Sequence, residues 1–383
     1  MSKLTPVFVG LDVSKKWIQV AVQTGTDSYV DWEVRHEAKA IARMVGRLRK
    51  EAGDRPIQTC YEAGVCGYAL QRTLRAAGLD CIVIAPSLIP TKPGERIKTD
   101  RRDARKLAHY LSQGDLTEVF PPTPEQEGAR ALFRARSTAQ KDLERQRHRL
   151  SKFLLGHGRV HRGTRAWTKG HRTWLDAQRF EEELTQIAFE AMHRAVKETE
   201  QRVADLDQKL EAVAKRAPFA EPIGYLRCLR GFDTVTALGV VTELYGFLRF
   251  ASARGLMAYL GLVPSEHSTG GPDQHQRGGI TKTGNGHVRR LLNQAAWNYR
   301  HKPRVGKALK ARRAGQPEWV IGVADQAMKR LHQRYWHLVN RGKPTPKAAI
   351  AVERELVGFV WSVLYRHAQD QLGRAGDGLQ PAA

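Results

Sequence analysis

The chain has 383 residues and a formal net charge of +24, with 63 Lys and Arg against 39 Asp and Glu. An excess of this size points to a polyanionic partner, above all nucleic acid, because basic residues serve solubility less well than acidic ones do. The four cysteines form no C-x-x-C pair, which argues against a zinc site and a disulfide framework, and no apolar run reaches the ~18 residues of a membrane span.

In chain order, residues 7–13 read as a strand and residues 17–24 as its hairpin partner, with a third strand at 28–34. Residues 37–52 have helical spacing at Ile41, Met44, Val45 and Leu48. A buried strand at 57–61, a helix at 67–77 and a strand at 81–85 follow. Residues 86–98 carry Pro86, Pro90, Pro93 and Gly94 and read as a loop, before a helix at 99–112. Three strands, helix, strand, helix, strand, helix is the element order of an RNase H-like α/β fold, expected over residues 1–115.

Four carboxylates stand out in this order. Asp12 ends one apolar run and Glu62 ends another; Asp100 and Asp103 open the helix at 99–112 and share a face at i,i+3. Carboxylates gathered from two strand ends and one helix need a cation to stay ionised together. An all-oxygen set suits Mg²⁺ or Mn²⁺, and metals of this kind support phosphodiester chemistry. The plainer alternative is a set of surface carboxylates, with Asp100 and Asp103 complementing a helix N-terminus.

A Pro-rich connector spans 114–128. Helical, strongly basic sequence begins at residue 129, and residues 129–172 hold thirteen Lys or Arg against Asp142 and Glu144 alone. Arg145, Arg147, Arg149 and Lys152 are candidate phosphate contacts there. Trp167 and Trp174 are interleaved with the charge, where aromatic rings can stack on unpaired bases. The alternative is a solvated helical face with two packing tryptophans. A second long helix at 181–216 repeats Val203, Leu206, Leu210 and Val213 at coiled-coil spacing, which fits either an antiparallel hairpin or a dimerisation arm. This helical, coiled-coil region is expected over 125–216.

A mainly α C-terminal domain is expected over 220–368, with a disordered tail at 369–383. It opens on a Gly-containing turn at 229–233, similar to a helix-hairpin-helix element. A small-residue loop at 260–271 carries Ser265 and Ser268. Beyond it, Lys282, Arg289 and Arg290 supply phosphate-neutralising charge among glycines that permit close backbone approach. His267 and His287 are candidate proton carriers. By itself, Ser268 reads as a turn hydroxyl bonding its own backbone.

The motifs together resemble a known family. Gly-Leu-Asp12-Val-Ser-Lys, Tyr-Glu62-Ala-Gly and Lys-Thr-Asp100-Arg-Arg-Asp103-Ala occur in order. Gly-Leu-Val-Pro-Ser-Glu-His-Ser268-Thr-Gly-Gly and Gly-Ile-Thr-Lys-Thr-Gly-Asn follow them. The chain is similar in these respects to the DEDD transposases of insertion sequences, the one-ten family of bridge-RNA-guided recombinases. The resemblance implies a RuvC-like N-terminal domain, a coiled-coil connector and a C-terminal transposase domain. It implies that Asp12, Glu62, Asp100 and Asp103 bind Mg²⁺ and that Ser268 attacks DNA. It also implies donor and target DNA and a structured guide RNA from the element. Because each serine makes one covalent bond at a time and exchange of two duplexes needs several cuts, a homo-oligomer, dimer or tetramer, is expected, with the Val203–Val213 seam as a dimer contact. The sparse cysteines fit a reducing bacterial cytoplasm, at the nucleoid. The competing expectation is a RuvC-like endonuclease of the junction-resolving type, which uses water as nucleophile.

Overall fold

A computed structural model describes residues 5–26, 28–90, 99–268 and 275–377 of the chain. The polypeptide divides into two compact units, Met1–Pro121 and Pro122–Ala383.

In the first unit, β1 (Val7–Val13), β2 (Trp17–Gln23), β3 (Tyr29–Arg35), β4 (Ile57–Glu62) and β5 (Asp80–Ile84) form one mixed sheet in the order β3-β2-β1-β4-β5. The β1–β2 and β2–β3 pairs are antiparallel, while β1–β4 and β4–β5 are parallel. Strand alternation sends Val7, Val9 and Leu11 to one face. There they pack with Ile41, Met44, Val45 and Leu48 of α1 (Ala38–Ala52) and Leu70 and Leu74 of α2 (Ala69–Ala76). The opposite face is covered by α3 (Asp100–Gln113), whose Leu107 packs with Cys60 and Ile84. Gly10 makes that approach feasible: a Cβ there would lie 2.0 Å from the Ala104 carbonyl oxygen and 2.5 Å from the Ala108 nitrogen. Each expected element of this unit is present within two residues of its predicted bounds. The expected loop contains a 3-10 turn at Pro86–Leu88, and its residues 91–98 lie outside the described residues.

The second unit is mostly helical. Its α4 runs Pro124–Gly156 and starts five residues before the expected position. Pro124 occupies the first helical position, where a missing N–H costs nothing, and Thr123 and Gln126 close a reciprocal capping box. After α5 (Lys169–Asp176), the chain returns along α6 (Glu183–Val213). Pairing of Arg136 with Asp207 at 2.8 Å and of Arg147 with Glu200 at 2.6 Å fixes an antiparallel hairpin of α4 and α6. Leu143, Leu150 and Leu154 of α4 pack with Phe189, Val196 and Val203 of α6. The Val203–Val213 seam is therefore used inside one chain, and the dimerisation-arm reading of that seam is corrected.

Next come α7 (Ala220–Arg227), α8 (Thr234–Leu244) and α9 (Ala253–Tyr259), then β6 (Pro264–Ser268) and β7 (His275–Ile280) as an antiparallel ribbon. The expected loop at 260–271 is thus in part a strand. Its Pro, Gly and Ser content hid an alternation that cross-strand pairing selects. The unit closes with α10 (Gly286–Ala296), α11 (Lys307–Arg313), α12 (Glu318–Asn340) and α13 (Thr345–Asp377). The last helix continues past residue 369, where a disordered tail was expected; Gln371 donates to Glu221 at 2.9 Å. Among the described residues, no helix is long and apolar enough to cross a membrane.

Candidate functional site

The carboxylate region begins with the parallel β1–β4 ladder. Its register pairs Gly10 with Cys60 and Leu11 with Tyr61, and one further step brings Asp12 beside Glu62. Both lie two residues beyond positions that meet α3, because Gly10 abuts Ala104 and the Cys60 thiol lies 3.6 Å from the Leu107 carbonyl oxygen. With a strand period of two, Asp12 and Glu62 share the face that α3 covers. Asp100 and Asp103 occupy the first turn of α3, capped by the Thr99 hydroxyl.

That turn is anchored by a residue the sequence did not single out. The Asp31 side chain, only 3 % exposed on β3, accepts from Arg101 at 2.7 Å and binds Arg105 through both oxygens. Burial raises the Asp31 pKa, but the hydrogen bonds from Arg105 and Arg101 outweigh it and hold the carboxyl below its ordinary range. The donor set Asp12, Glu62, Asp100 and Asp103 is all oxygen and fits a hard divalent cation. Among the described residues, no group of three or more His, Cys, Asp or Glu side chains is placed to hold a metal ion, so the expected gathering stands as backbone placement alone.

The serine segment is built on a rigid base. Ser268 ends β6, opposite His275 of β7. Below it, two glycines with positive φ let two loops touch backbone to backbone. A Cβ on Gly284 would lie 1.8 Å from the Tyr259 carbonyl oxygen, and one on Gly261 would lie 2.4 Å from the Thr283 nitrogen. Arg289 clamps this contact by donating to the Leu260 and Thr283 carbonyls, each at 2.9 Å. Arg289, expected as a phosphate contact, thus uses its Nη1 to hold the ribbon's base. Lys282 and Arg290 are exposed. Ser265 donates across the ribbon to the Gly279 carbonyl at 3.2 Å, which gives this hydroxyl a structural partner.

Beside the ribbon lies a buried polar network. Glu243 of α8 binds Arg134 through both oxygens, at 2.7 and 2.9 Å, and accepts from Asn285 at 2.9 Å. Asn285 also caps α10 by accepting from the His287 and Val288 amides. Burial works against the Glu243 charge, but the hydrogen bonds from Arg134 and Asn285 prevail and lower its pKa. Burial also lowers the His287 pKa, against the pull of Glu243, with help from the charges of Arg134, Lys141 and Arg290. A single acidic residue in the otherwise uncharged helix Thr234–Leu244 was the available sequence signal for this network.

Comparison with known proteins identifies the family. Residues 9–158 match a DEDD transposase family profile described as a transposase, and residues 224–310 match the "Transposase IS116/IS110/IS902 family". The putative transposase y4qE of Sinorhizobium fredii is 41 % identical over 93 % of this chain and 88 % of its own length. The transposase for insertion sequence element IS1533 of Leptospira borgpetersenii is 33 % identical over 88 % of this chain and 98 % of its own length. The chain belongs to the IS116/IS110/IS902 family of transposases. DNA is accordingly the substrate of this transposase.

On α4 of the transposase, the basic residues divide by partner. Arg134, Arg136 and Arg147 are bonded to Glu243, Asp207 and Glu200, and Arg172 of α5 shares Glu200 with Arg147. Arg147 also sits 4.8 Å from the centroid of the Trp167 ring, which is half-buried in the hairpin core. Trp174 packs there too. Lys141, Glu144, Arg145, His148, Arg149 and Lys152 instead line one shallow groove on the exposed side of α4, where Arg145 pairs locally with Asp142. Three of the thirteen basic residues counted along the sequence, Arg136, Arg147 and Arg172, are thus paired inside the hairpin, and Arg134 is paired with α8.

Proposed function

We propose that this transposase is a site-specific DNA recombinase in which Ser268 is the nucleophile and Asp12, Glu62, Asp100 and Asp103 hold Mg²⁺ or Mn²⁺. The observation that carries the metal half is the β1–β4 register, which sets Asp12 beside Glu62 on the face closed by the acidic first turn of α3. The strand order β3-β2-β1-β4-β5, with its antiparallel and parallel pairs, supports an RNase H-like, RuvC-like reading of the first unit.

Bound there, the cation would polarise a scissile phosphate and neutralise its developing charge. The Ser268 hydroxyl attacks phosphorus, a phosphoserine ester forms as the P–O bond to the leaving sugar oxygen breaks, and that oxygen takes a proton. The ester conserves the bond for rejoining when a sugar hydroxyl attacks it and releases the serine. Serine is a weak nucleophile and needs a base. His287, kept neutral by burial, is competent to accept a proton.

The groove along Lys141, Arg145, Arg149 and Lys152 is the proposed track for DNA or for a guide RNA encoded by the element. Lys282 and Arg290 extend the same charge chemistry, and Trp167 serves the hairpin before any base. The protein is proposed to act as a homo-oligomer, joined through the apolar end of the α4–α6 hairpin.

The test is to trap protein on a nicked DNA and map the linked residue. Ser268→Ala should lose the covalent adduct and all strand exchange while keeping DNA affinity. Asp12→Asn should lose cleavage with folding intact. Wild-type cleavage by Ser268→Ala would instead favour water as nucleophile and the endonuclease reading.

A further inference from the structure

Three guanidiniums come together where α7 and α11 end, away from the α4 groove. Arg227 is the last residue of α7, and Arg312 and Arg313 close α11. Arg313 is buried and fixes the junction: its Nε donates to the Cys228 carbonyl at 3.1 Å and its Nη1 to Asp325 at 2.7 Å. Three nitrogens of this cluster, Arg227 Nε, Arg312 Nε and Arg313 Nη2, are buried and have no hydrogen-bond partner. Burial and the nearby Arg227 charge both lower the Arg312 pKa.

The neighbouring carboxylates are already engaged. Asp233 accepts from the Thr236 amide as the cap of α8, and Asp325 pairs with Arg313. Like charges withdrawn from water are costly, and an unsatisfied buried donor adds to that cost. Helix C-termini offset part of it through their dipoles but leave these N–H groups without acceptors. Arg227 and Arg312 are only half-buried and form no ion pair among the described residues, so their outer guanidinium N–H groups can meet the oxygens of a phosphate diester.

We infer that Arg227, Arg312 and Arg313 form a second anion site, separate from the α4 groove, that grips one backbone phosphate of a nucleic acid beside the α7–α8 turn. This rests on the proposed nucleic-acid function. The site reads no base, because guanidinium-to-phosphate contacts position a nucleic acid without specifying its sequence.

The test uses the full chain with Arg227→Gln/Arg312→Gln, leaving Arg313 to hold Cys228 and Asp325. Binding to a duplex DNA of arbitrary sequence and to a single-stranded RNA is followed by anisotropy across a salt series. Each lost phosphate contact lowers the slope of log affinity against log salt by about 0.9 for duplex and about 0.7 for single strands. The double variant should lose about one such step with at least one of the two polymers, and affinity should fall several-fold. Arg312→Lys should recover charge but only part of the affinity. Without nucleic acid, the melting temperature of the double Gln variant should stay level or rise, because a like-charge contact is relieved. An unchanged slope with both polymers overturns the inference. So does a lowered melting temperature with unchanged slope, which would make the arginines purely structural. Inorganic phosphate raising the wild-type melting temperature, with both slopes unchanged, would mean a free anion only. Arg149→Gln/Lys152→Gln run in parallel separates the two ideas. If that variant weakens binding and the Arg227/Arg312 variant does not, only the second site fails; if wild type binds neither polymer, both fail.

Discussion

Glu353 lies in α13, 1 % exposed, with Oε2 accepting from Asn293 at 2.8 Å and Oε1 without a partner. Burial pushes its pKa up to about 7, against the Asn293 hydrogen bond and the Arg289 charge. Between the unfolded value of 4.5 and about 7, the folded state binds more protons than the unfolded state. Stability from this group is therefore greatest at low pH, declines through that window and levels off above it. Glu353→Gln keeps the acceptor and removes the titration. Relative to wild type, it should gain on the order of 3 kcal/mol above pH 7 and nothing near pH 4. Denaturant melts at the two pH values measure this, and an equal difference at both would reject the assignment. Asp31 behaves oppositely. Its lowered pKa gives stability that is present above pH 4 and is lost as pH falls through the folded value.

At the scale of elements, α4 sets the next prediction. Arg149→Gln with Lys152→Gln should weaken nucleic-acid binding and flatten its salt dependence, with melting unchanged, because both residues are exposed. Arg147→Gln should instead lower stability by roughly 1–3 kcal/mol, because it leaves part-buried Glu200 with one partner fewer. Equal binding losses in the two variants would show that Arg147 also meets the polymer. These opposite fates explain what was legible in the sequence. Period and composition gave the first sheet, its helices and the two acidic strand ends, since each depends on neighbours within a few residues. Partners such as Glu200 for Arg147, or Asp31 for Arg101 and Arg105, lie far along the chain and leave no periodic trace. The β6–β7 ribbon escaped for a related reason: cross-strand pairing makes it a ribbon, while its Gly and Ser content reads locally as loop. The helix through Gly373 escaped because tertiary packing, with Gln371 on Glu221, overrides weak local propensity.

At the scale of the whole molecule, assembly must use surface that the fold leaves free. The seam of α6 does not qualify, since Leu210 is fully buried and Val203 packs inside the hairpin. The far end of the hairpin does. Leu155 lies in the last turn of α4 and Val160 just beyond it, Leu184 and Ile187 open α6, and all four are between 55 % and 80 % exposed. Antiparallel pairing brings the two helix ends together there, with Phe153 and Phe180 in edge contact at 5.8 Å. Apolar residues grouped at the tip of a long arm suit self-association, in which each copy buries the other's tip. Leu184→Ser with Ile187→Ser should therefore reduce the mass seen by light scattering or sedimentation at a given concentration. Its melting temperature at high dilution should stay near wild type, because neither side chain supports the fold. Leu206→Ser should do the reverse, lowering the melting temperature while leaving the mass of the native species alone. If the tip variant keeps the wild-type mass across the concentration series, the oligomer is built from another surface and the arm serves only to extend the basic face of α4.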